Sequence, residues 1–262
     1  MWTNAGTDYD PIDMCVSWSA HSGLPTGVSV VPIVRNPPAV LALAARTAHE
    51  LCDGHFVLGI GSGSVTDKPI RAVREYIEEV RKTAPGLQIA IGALGPQMLR
   101  LASTHGQAAA LNWCTTDQVA WSRAQTGPTT RLIEYIRVCV DDDVPLARFT
   151  LAKQILGYAL VARASTARGY PAHFARMGFG PELAELQRRK AEGAGDDELA
   201  REMPERLVRA LGYYGAGAGG PEKFASLARG LDVAVVRVLN ARPGDERPVR
   251  RAIEIFAPGS AA

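Results

Sequence analysis

Two glycine-rich segments offer the clearest chemistry in this sequence. Gly59-Ile-Gly61-Ser62-Gly63-Ser64 follows an apolar run over 55–60, and Gly92-Ala-Leu94-Gly95-Pro96-Gln97 follows another over 87–91. Glycine lets backbone come within hydrogen-bonding distance of a ligand, and the free N–H groups of a helix start attract an anion such as a phosphate. Pro96 suits the first helical position, so Gln97 and Met98 would present their N–H groups outward. A plain turn with a proline at its end is the competing reading of this second segment. The first segment partly fits a dinucleotide fingerprint, but Ser64 stands where GxGxxG needs its last glycine. It also closes the second clear strand, whereas that fingerprint belongs on the first.

Side chains that carry nucleophilic or metal chemistry are present but scattered. Cys15, Cys52, Cys114 and Cys139 form no CxxC pair and read as buried free thiols of a reducing compartment. His21, His49, His55, His105 and His173 show no metal-ligand spacing, so no metal is expected. No His or Asp lies at a telling distance from Cys114, which reads as a packing residue.

Composition narrows the classes further. Lys+Arg 29 against Asp+Glu 27 leaves a formal charge of +2 with no basic stripe, which argues against a nucleic-acid groove or a polybasic membrane anchor. Hydrophobic residues at 47% and charged residues at 21% over 262 positions suit a folded globular chain. Apolar stretches fall short of the roughly 20 residues of a membrane helix. MWTNAGTDYD carries no secretory signal, so a cytoplasmic protein is expected.

The elements that would position the glycine loops alternate steadily. Strands are predicted over 26–31, 55–60, 87–91, 108–113 and 132–140. Helices lie between them: one with Val40, Leu43, Thr47 and Leu51 on its apolar face, one with Ile70, Val73, Ile77 and Val80, and one with Met98, Leu101 and Ala102. Thr116-Asp117 caps a fourth. Strands joined through single helices make a parallel sheet covered by helices. Residues 144–212 read as a helical excursion broken at Gly169-Tyr170-Pro171, Gly178 to Pro181, Gly193 to Gly195 and Pro204. A glycine-rich stretch over 215–220, a last strand over 232–239 and a closing helix over 250–256 follow. A (β/α)8 barrel of the TIM type and a doubly wound open sheet both fit, and the excursion before the last strand favours the barrel. The expectation is one α/β domain over 1–262.

Taken in order, several pieces resemble the luciferase-like monooxygenase superfamily. They are Thr26-Gly-Val-Ser-Val-Val-Pro-Ile-Val-Arg35-Asn-Pro-Pro, then Leu41 to Ala48, then Cys52-Asp-Gly54 through Gly63. Ile89 to Ala102, Ala110-Leu-Asn112-Trp113, Met177-Gly-Phe179 and Gly220-Pro221-Glu222 continue the match, which covers roughly residues 2 to 257. That group includes bacterial luciferase, FMN-dependent monooxygenases and coenzyme F420-dependent oxidoreductases such as methylenetetrahydromethanopterin reductase. The chain is more similar to the deazaflavin branch.

The resemblance implies a TIM-like barrel that binds coenzyme F420, or FMN as the alternative, and moves a hydride to or from a small organic molecule. A cofactor that carries the chemistry would account for the lack of a visible nucleophile or metal cluster. Ser29-Val30 matches a bulge, often with a non-prolyl cis peptide, beneath the cofactor ring. Gly61 and Ser62 match the second loop, and Gly92, Leu94, Gly95, Pro96 and Gln97 match the phosphate-binding segment. Ser64 takes the place of an acid found in several deazaflavin relatives, and Asn4 could hydrogen-bond the ring. Tyr170, His173 and Phe174 lie in the excursion that borders the substrate in this family. A homo-oligomer is expected as well, because a gap in the barrel and the helices over 144–212 would offer apolar surface. Two alternatives stay open: an FMN-dependent monooxygenase, and a non-catalytic barrel subunit or degenerate paralogue.

The chain departs from the family pattern in opening at the tail of the second barrel strand. The first βα unit is therefore expected to be lacking, with the strands over 26–31 and 233–239 near the gap. The insertion common after the fourth strand is also missing, since Ser64 passes almost directly to the helix at Ile70.

Overall fold

The computed structural model describes residues 1–6, 8–160 and 169–257. In chain order these form β1 (Trp2–Thr3), α1 (Pro11–Ser22), β2 (Thr26–Pro32), α2 (Pro38–Leu51), β3 (Phe56–Gly61), α3 (Pro69–Thr83), β4 (Gln88–Gly92), α4 (Pro96–His105), β5 (Ala108–Asn112) and α5 (Thr116–Thr126). There follow β6 (Arg131–Val140), α6 (Val144–Ala159), α7 (Gly169–Phe174), a π-helical turn (Ala175–Phe179), α8 (Gly180–Ala191), α9 (Asp196–Glu202) and α10 (Glu205–Leu211). The last elements are β7 (Gly212–Gly215), α11 (Gly220–Leu227), β8 (Val233–Val238) and α12 (Arg247–Phe256). The class is α/β with parallel strands and crossover helices, as the alternation predicts. The chain divides into two compact units, Met1–Leu111 with Trp121–Ile133, and Asn112–Ala120 with Glu134–Ala262.

In the first unit the strands pair in parallel in the order β1, β2, β3, β4, β5. Val28, Leu58, Ile60, Ile89 and Ile91 supply a strand core, and Ala42, Ala45, Val73, Ile77, Val80 and Leu99 bury the helix faces. Parallel strands covered on their faces need such continuous apolar runs. Asp10 caps α1 by accepting from the N–H groups of Ile12 and Asp13, and Gly23 closes it at φ 67°. β2 is flanked on both sides, by β1 and by β3.

Helix α2 corrects one expectation. Its buried side is Leu41, Ala42, Ala45 and Ala48, while Val40, Leu43 and Leu51 stand 49–61% exposed. The sequence pattern followed the larger apolar residues. The alanine stripe faces inward because small side chains let the helix backbone lie close to its neighbours.

In the second unit β6 pairs in parallel with β7, and β8 pairs with β6. The helices from α6 to α10 lie in sequence between β6 and β7, where the excursion was expected; its stretch 161–168 is outside the described residues. The helical run breaks at Gly178 (φ 85°) and Gly193 (φ 96°), two of the breaks read from the sequence. Leu151, Ile155, Phe174, Phe179, Leu199 and Leu207 are among the residues that close the core around these helices. Strand β7 was not foreseen. Gly212-Tyr-Tyr-Gly215 has no β-branched run, and its pairing with β6 fixes it; a Cβ at Gly212 would meet Arg137 O at 2.8 Å.

Candidate functional site

In the first unit the register of β2 against β3 shifts between Val28 and Val31, and the Ser29–Val30 peptide there is cis. Both residues are half-buried. The Val30 side chain lies across the next two strands. A Cβ at Gly61 would come 2.6 Å from Val30 Cγ2, and one at Gly92 would come 3.3 Å from Val30 Cγ1. Val30 alone therefore keeps a side chain off position 61 and crowds one at position 92. Gly59 is also required by packing, since its Cβ would meet Val28 O at 2.1 Å.

The loop after β3 runs through Ser62, half-buried, and Gly63 at φ 57° to Ser64, which is exposed. The segment after β4 behaves differently. Gly95 is the N-cap of α4 in extended conformation (φ −109°), and among the described residues nothing beyond its own chain neighbours lies within 4 Å of where its Cβ would sit. No side chain caps α4, and Pro96 opens it. Leu94 and Pro96 are half-buried and Gln97 is exposed.

Asn4 is exposed at the end of β1, one residue past the pair Thr3–Val28. Tyr9 Oη lies 3.0 Å from Asn4 Oδ1 and 3.1 Å from the Asn4 carbonyl, so its single proton is shared between two acceptors. The Arg35 guanidinium donates to the carbonyls of Gly6 and Tyr9 and ties this segment to the loop after β2.

In the second unit the structure gathers Tyr170, His173 and Phe174 with residues 112–114. Asn112 Nδ2 donates to Tyr170 Oη at 2.5 Å. Tyr170 meets Tyr158 edge-on at 4.7 Å, and Tyr158 meets Trp113 edge-on at 5.6 Å. The buried Arg137 guanidinium lies 4.0 Å over the Trp113 ring and donates to Tyr135 O. Trp113 itself adopts φ 57°, a conformation rare for a bulky residue. The N–H after it, that of Cys114, donates to Glu134 Oε1 at 2.7 Å.

His173 is buried with Nε2 at 2.9 Å from Trp113 O, which can only accept, so Nε2 carries the proton. Nδ1 is then the acceptor for Arg176 Nη2 at 3.2 Å. Both ring positions suit a neutral imidazole. Burial, helped by the Arg176 charge and opposed by the bond to Trp113, lowers its pKa to about 4. Burial raises the Glu134 carboxyl to about 7, with the Cys114 N–H and Arg137 pulling the other way. Burial also pushes Tyr170 up to about 12. The Cys114 thiol is driven well above its usual value by burial and by Glu134, so it is no thiolate nucleophile even with His173 Nε2 at 3.8 Å from its sulfur.

Sequence reasoning missed Asn112, Glu134 and Arg137 as members of this cluster. The signal was there: two charged residues inside the otherwise apolar run Leu132-Ile-Glu134-Tyr-Ile-Arg137-Val. Among the described residues no group of three His, Cys, Asp or Glu side chains is placed to hold a metal, and no helix is long and apolar enough to cross a membrane.

No family model matches the chain. A 5,10-methylenetetrahydromethanopterin reductase of Archaeoglobus fulgidus is 31% identical over a match covering 32% of this chain and 36% of the relative, so the likeness spans about a third of that protein. The fold is similar to that of the coenzyme F420-dependent tetrahydromethanopterin reductase from Methanopyrus kandleri, with a TM-score of 0.72 at 15% identity over 97% of this chain and 88% of the other. It is also similar to an F420-dependent secondary alcohol dehydrogenase in complex with an F420–acetone adduct (TM-score 0.60, 12% identity, 92% and 81% covered). The oxygenating constituent of 3,6-diketocamphane monooxygenase from Pseudomonas putida, in complex with FMN, gives a TM-score of 0.59 at 14% identity, with 100% and 87% covered. The chain therefore has the TIM-like α/β fold of F420-dependent reductases and luciferase-like monooxygenases.

Proposed function

We propose that the protein is an oxidoreductase that binds coenzyme F420 and moves a hydride between it and a small organic substrate, with an FMN-dependent monooxygenase as the alternative. The observation that carries this reading is Gly95. Its φ is open to any residue and no atom crowds its missing side chain, so neither backbone nor packing demands glycine there. A ligand brought against the backbone would use the space that the missing side chain leaves. The N–H groups of Gln97 and Met98 lie in the first turn of α4, where no intrahelical partner exists, and they suit an anion such as the cofactor's phosphate.

The bound cofactor would supply the ring that accepts and returns the hydride. The chain's own residues would bind and orient it. Gly92, Leu94, Gly95, Pro96 and Gln97 form the phosphate cradle of the proposal. Ser29, Val30, Gly61 and Ser62 are the proposed ring-side residues, and the Val30 side chain gives that surface an apolar cover over Gly61 and Gly92. Asn4, oriented by Tyr9, offers a hydrogen bond. Ser64 can donate or accept one but is far too weak an acid to release a proton at neutral pH. In the second unit Tyr170, His173 and Phe174 are the proposed substrate-side residues. His173, neutral with both nitrogens engaged, would position neighbours and not exchange protons. A second copy of the chain is the proposed partner, to be checked by light scattering.

Titration of the protein with F420 and, separately, with FMN tests the reading by absorbance and fluorescence. Saturable binding of either is the expected result, and the tighter one names the cofactor. Binding of neither overturns the proposal.

A further inference from the structure

Among the described residues, four buried side-chain atoms in the second unit have no hydrogen-bond partner, and three of them, Asn112 Oδ1, Trp113 Nε1 and Glu134 Oε2, belong to the end of β5 and to β6. Buried polar atoms are costly unless the structure gains something from them. Glu134 is the most exposed to this cost, being a carboxyl that is 4% accessible and uses one oxygen only, on the Cys114 N–H. That N–H lies beyond the end of β5 at Asn112, past the reach of the strand ladder. It also follows Trp113, whose φ of 57° needs surrounding structure to impose it.

The consequences of that turn run to both sides. Before it, Asn112 holds Tyr170; within it, the Trp113 carbonyl takes the His173 proton; after it, Cys114 lies against the same imidazole. The Trp113 ring packs against both Arg137 and Tyr158, which also lie against each other. We propose that Glu134 is a positioning residue: by accepting from Cys114 it holds the left-handed turn at Trp113, and so sets where Tyr170 and His173 sit. Its functional meaning rests on the substrate-side role proposed for those two residues, whereas the hold itself does not.

The groups around Glu134 define how the hold responds to pH. Cys114, beyond β5, and Arg137, on its own strand, face it directly. His173 of α7 and Arg176 of the π-helical turn face Cys114, and Tyr158 of α6, Tyr170 of α7 and Arg237 of β8 face Arg137. Burial outweighs the pull of the Cys114 N–H and keeps Glu134 protonated up to about neutral pH, so the hold is firmest at lower pH and loosens as the carboxyl ionises.

Amide hydrogen exchange of Cys114 in the full chain, read by NMR, reports the bond directly. Near pH 5, Glu134→Leu removes the acceptor and is expected to lower protection at Cys114 by about tenfold or more, whereas Glu134→Gln keeps an acceptor like the protonated carboxyl and should stay within about threefold of wild type. Side-chain nitrogen shifts should show His173 keeping its Nε2–H tautomer in the Gln variant and losing it in the Leu variant. Should the Leu variant not fold, the Gln variant decides alone: the ratio of wild-type to Gln protection should fall as pH rises from about 5 to 7, because only in the wild type does the higher pH favour opening that lets a buried carboxyl ionise in water. A ratio flat in pH, a Leu variant as protected as wild type, or a Gln variant as exposed as Leu overturns the proposal. None of these readouts uses a cofactor, so failure to bind F420 or FMN would leave the hold standing.

Discussion

Glu134 and His173 reach Cys114 from different elements, one through the backbone N–H at 2.7 Å and the other with Nε2 at 3.8 Å from the sulfur, and burial shifts the two in opposite directions. The carboxyl rises from its ordinary 4.5 to about 7. The imidazole falls from 6.5 to about 4. Between these limits the unfolded chain carries its proton on the histidine and the folded chain carries it on the glutamate. Folding moves a proton from one to the other without changing the number bound.

The first prediction follows from linkage. A raised carboxyl contributes stability that is full below about 4.5 and lost as pH rises through about 7, and a lowered imidazole contributes stability that is full above 6.5 and lost as pH falls through about 4. Each window is worth on the order of 3 kcal/mol, and over their overlap they cancel. Thermal melts of wild type should therefore be nearly flat in pH from about 5 to 6 as far as this pair is concerned. Glu134→Gln exposes the histidine window, so its Tm should climb with pH there. His173→Gln should show the opposite slope.

The second concerns the loop after β4. Gly95→Val should weaken cofactor binding by a few kcal/mol, about a hundredfold or more, through lost charge-assisted hydrogen bonds. The melt without cofactor should move only by the loss of a favourable N-cap, about 1 kcal/mol or less, since the φ of −109° suits valine and the side is open. Fluorescence titration beside thermal melts makes the comparison; equal affinity would place the anion elsewhere.

The third tests the inward face of α2. Leu43→Glu, at a position 49% exposed, should shift the Tm by little. Ala45→Glu, at a fully buried position, should destabilise strongly by burying a charge with no partner. Similar melts for both would mean that the helix is rotated.

The fourth uses the thiols. Cys15, Cys52, Cys114 and Cys139 are free and buried, and burial lifts the thiols of Cys15 and Cys139 to about 12. A thiol reagent should modify none of them promptly in the native protein and all of them in denaturant.

The strands β2 to β6 were legible because each is an apolar run bounded by glycine, proline or a cap, and their order followed from the single helices between them. The short β7 was not, because its conformation comes from β6 and not from its own residues. The α2 face was misread because alanines, weak in any hydrophobic pattern, pack best where backbones approach. The Ser29–Val30 bulge could be placed from resemblance, and the helix start at Gly95 from the proline that follows it. Glu134 and Arg137 could not be given partners, since Cys114 and Trp113 lie on a different segment and meet them only after β5 and β6 are formed.

Val30 ties the sizes of three positions on three neighbouring strands into one quantity. A methyl added at 61 would run into Val30 at 2.6 Å and one at 92 would press on it at 3.3 Å, so bulk can be exchanged among these sites but not increased. Alanine at 61 becomes acceptable once residue 30 is reduced to alanine, and the reverse exchange restores the starting fit. Among related sequences the three positions should therefore drift together, with a branched residue at 30 and any side chain at 61 excluding one another. Such covariation would mark this corner of the sheet as inherited as a set.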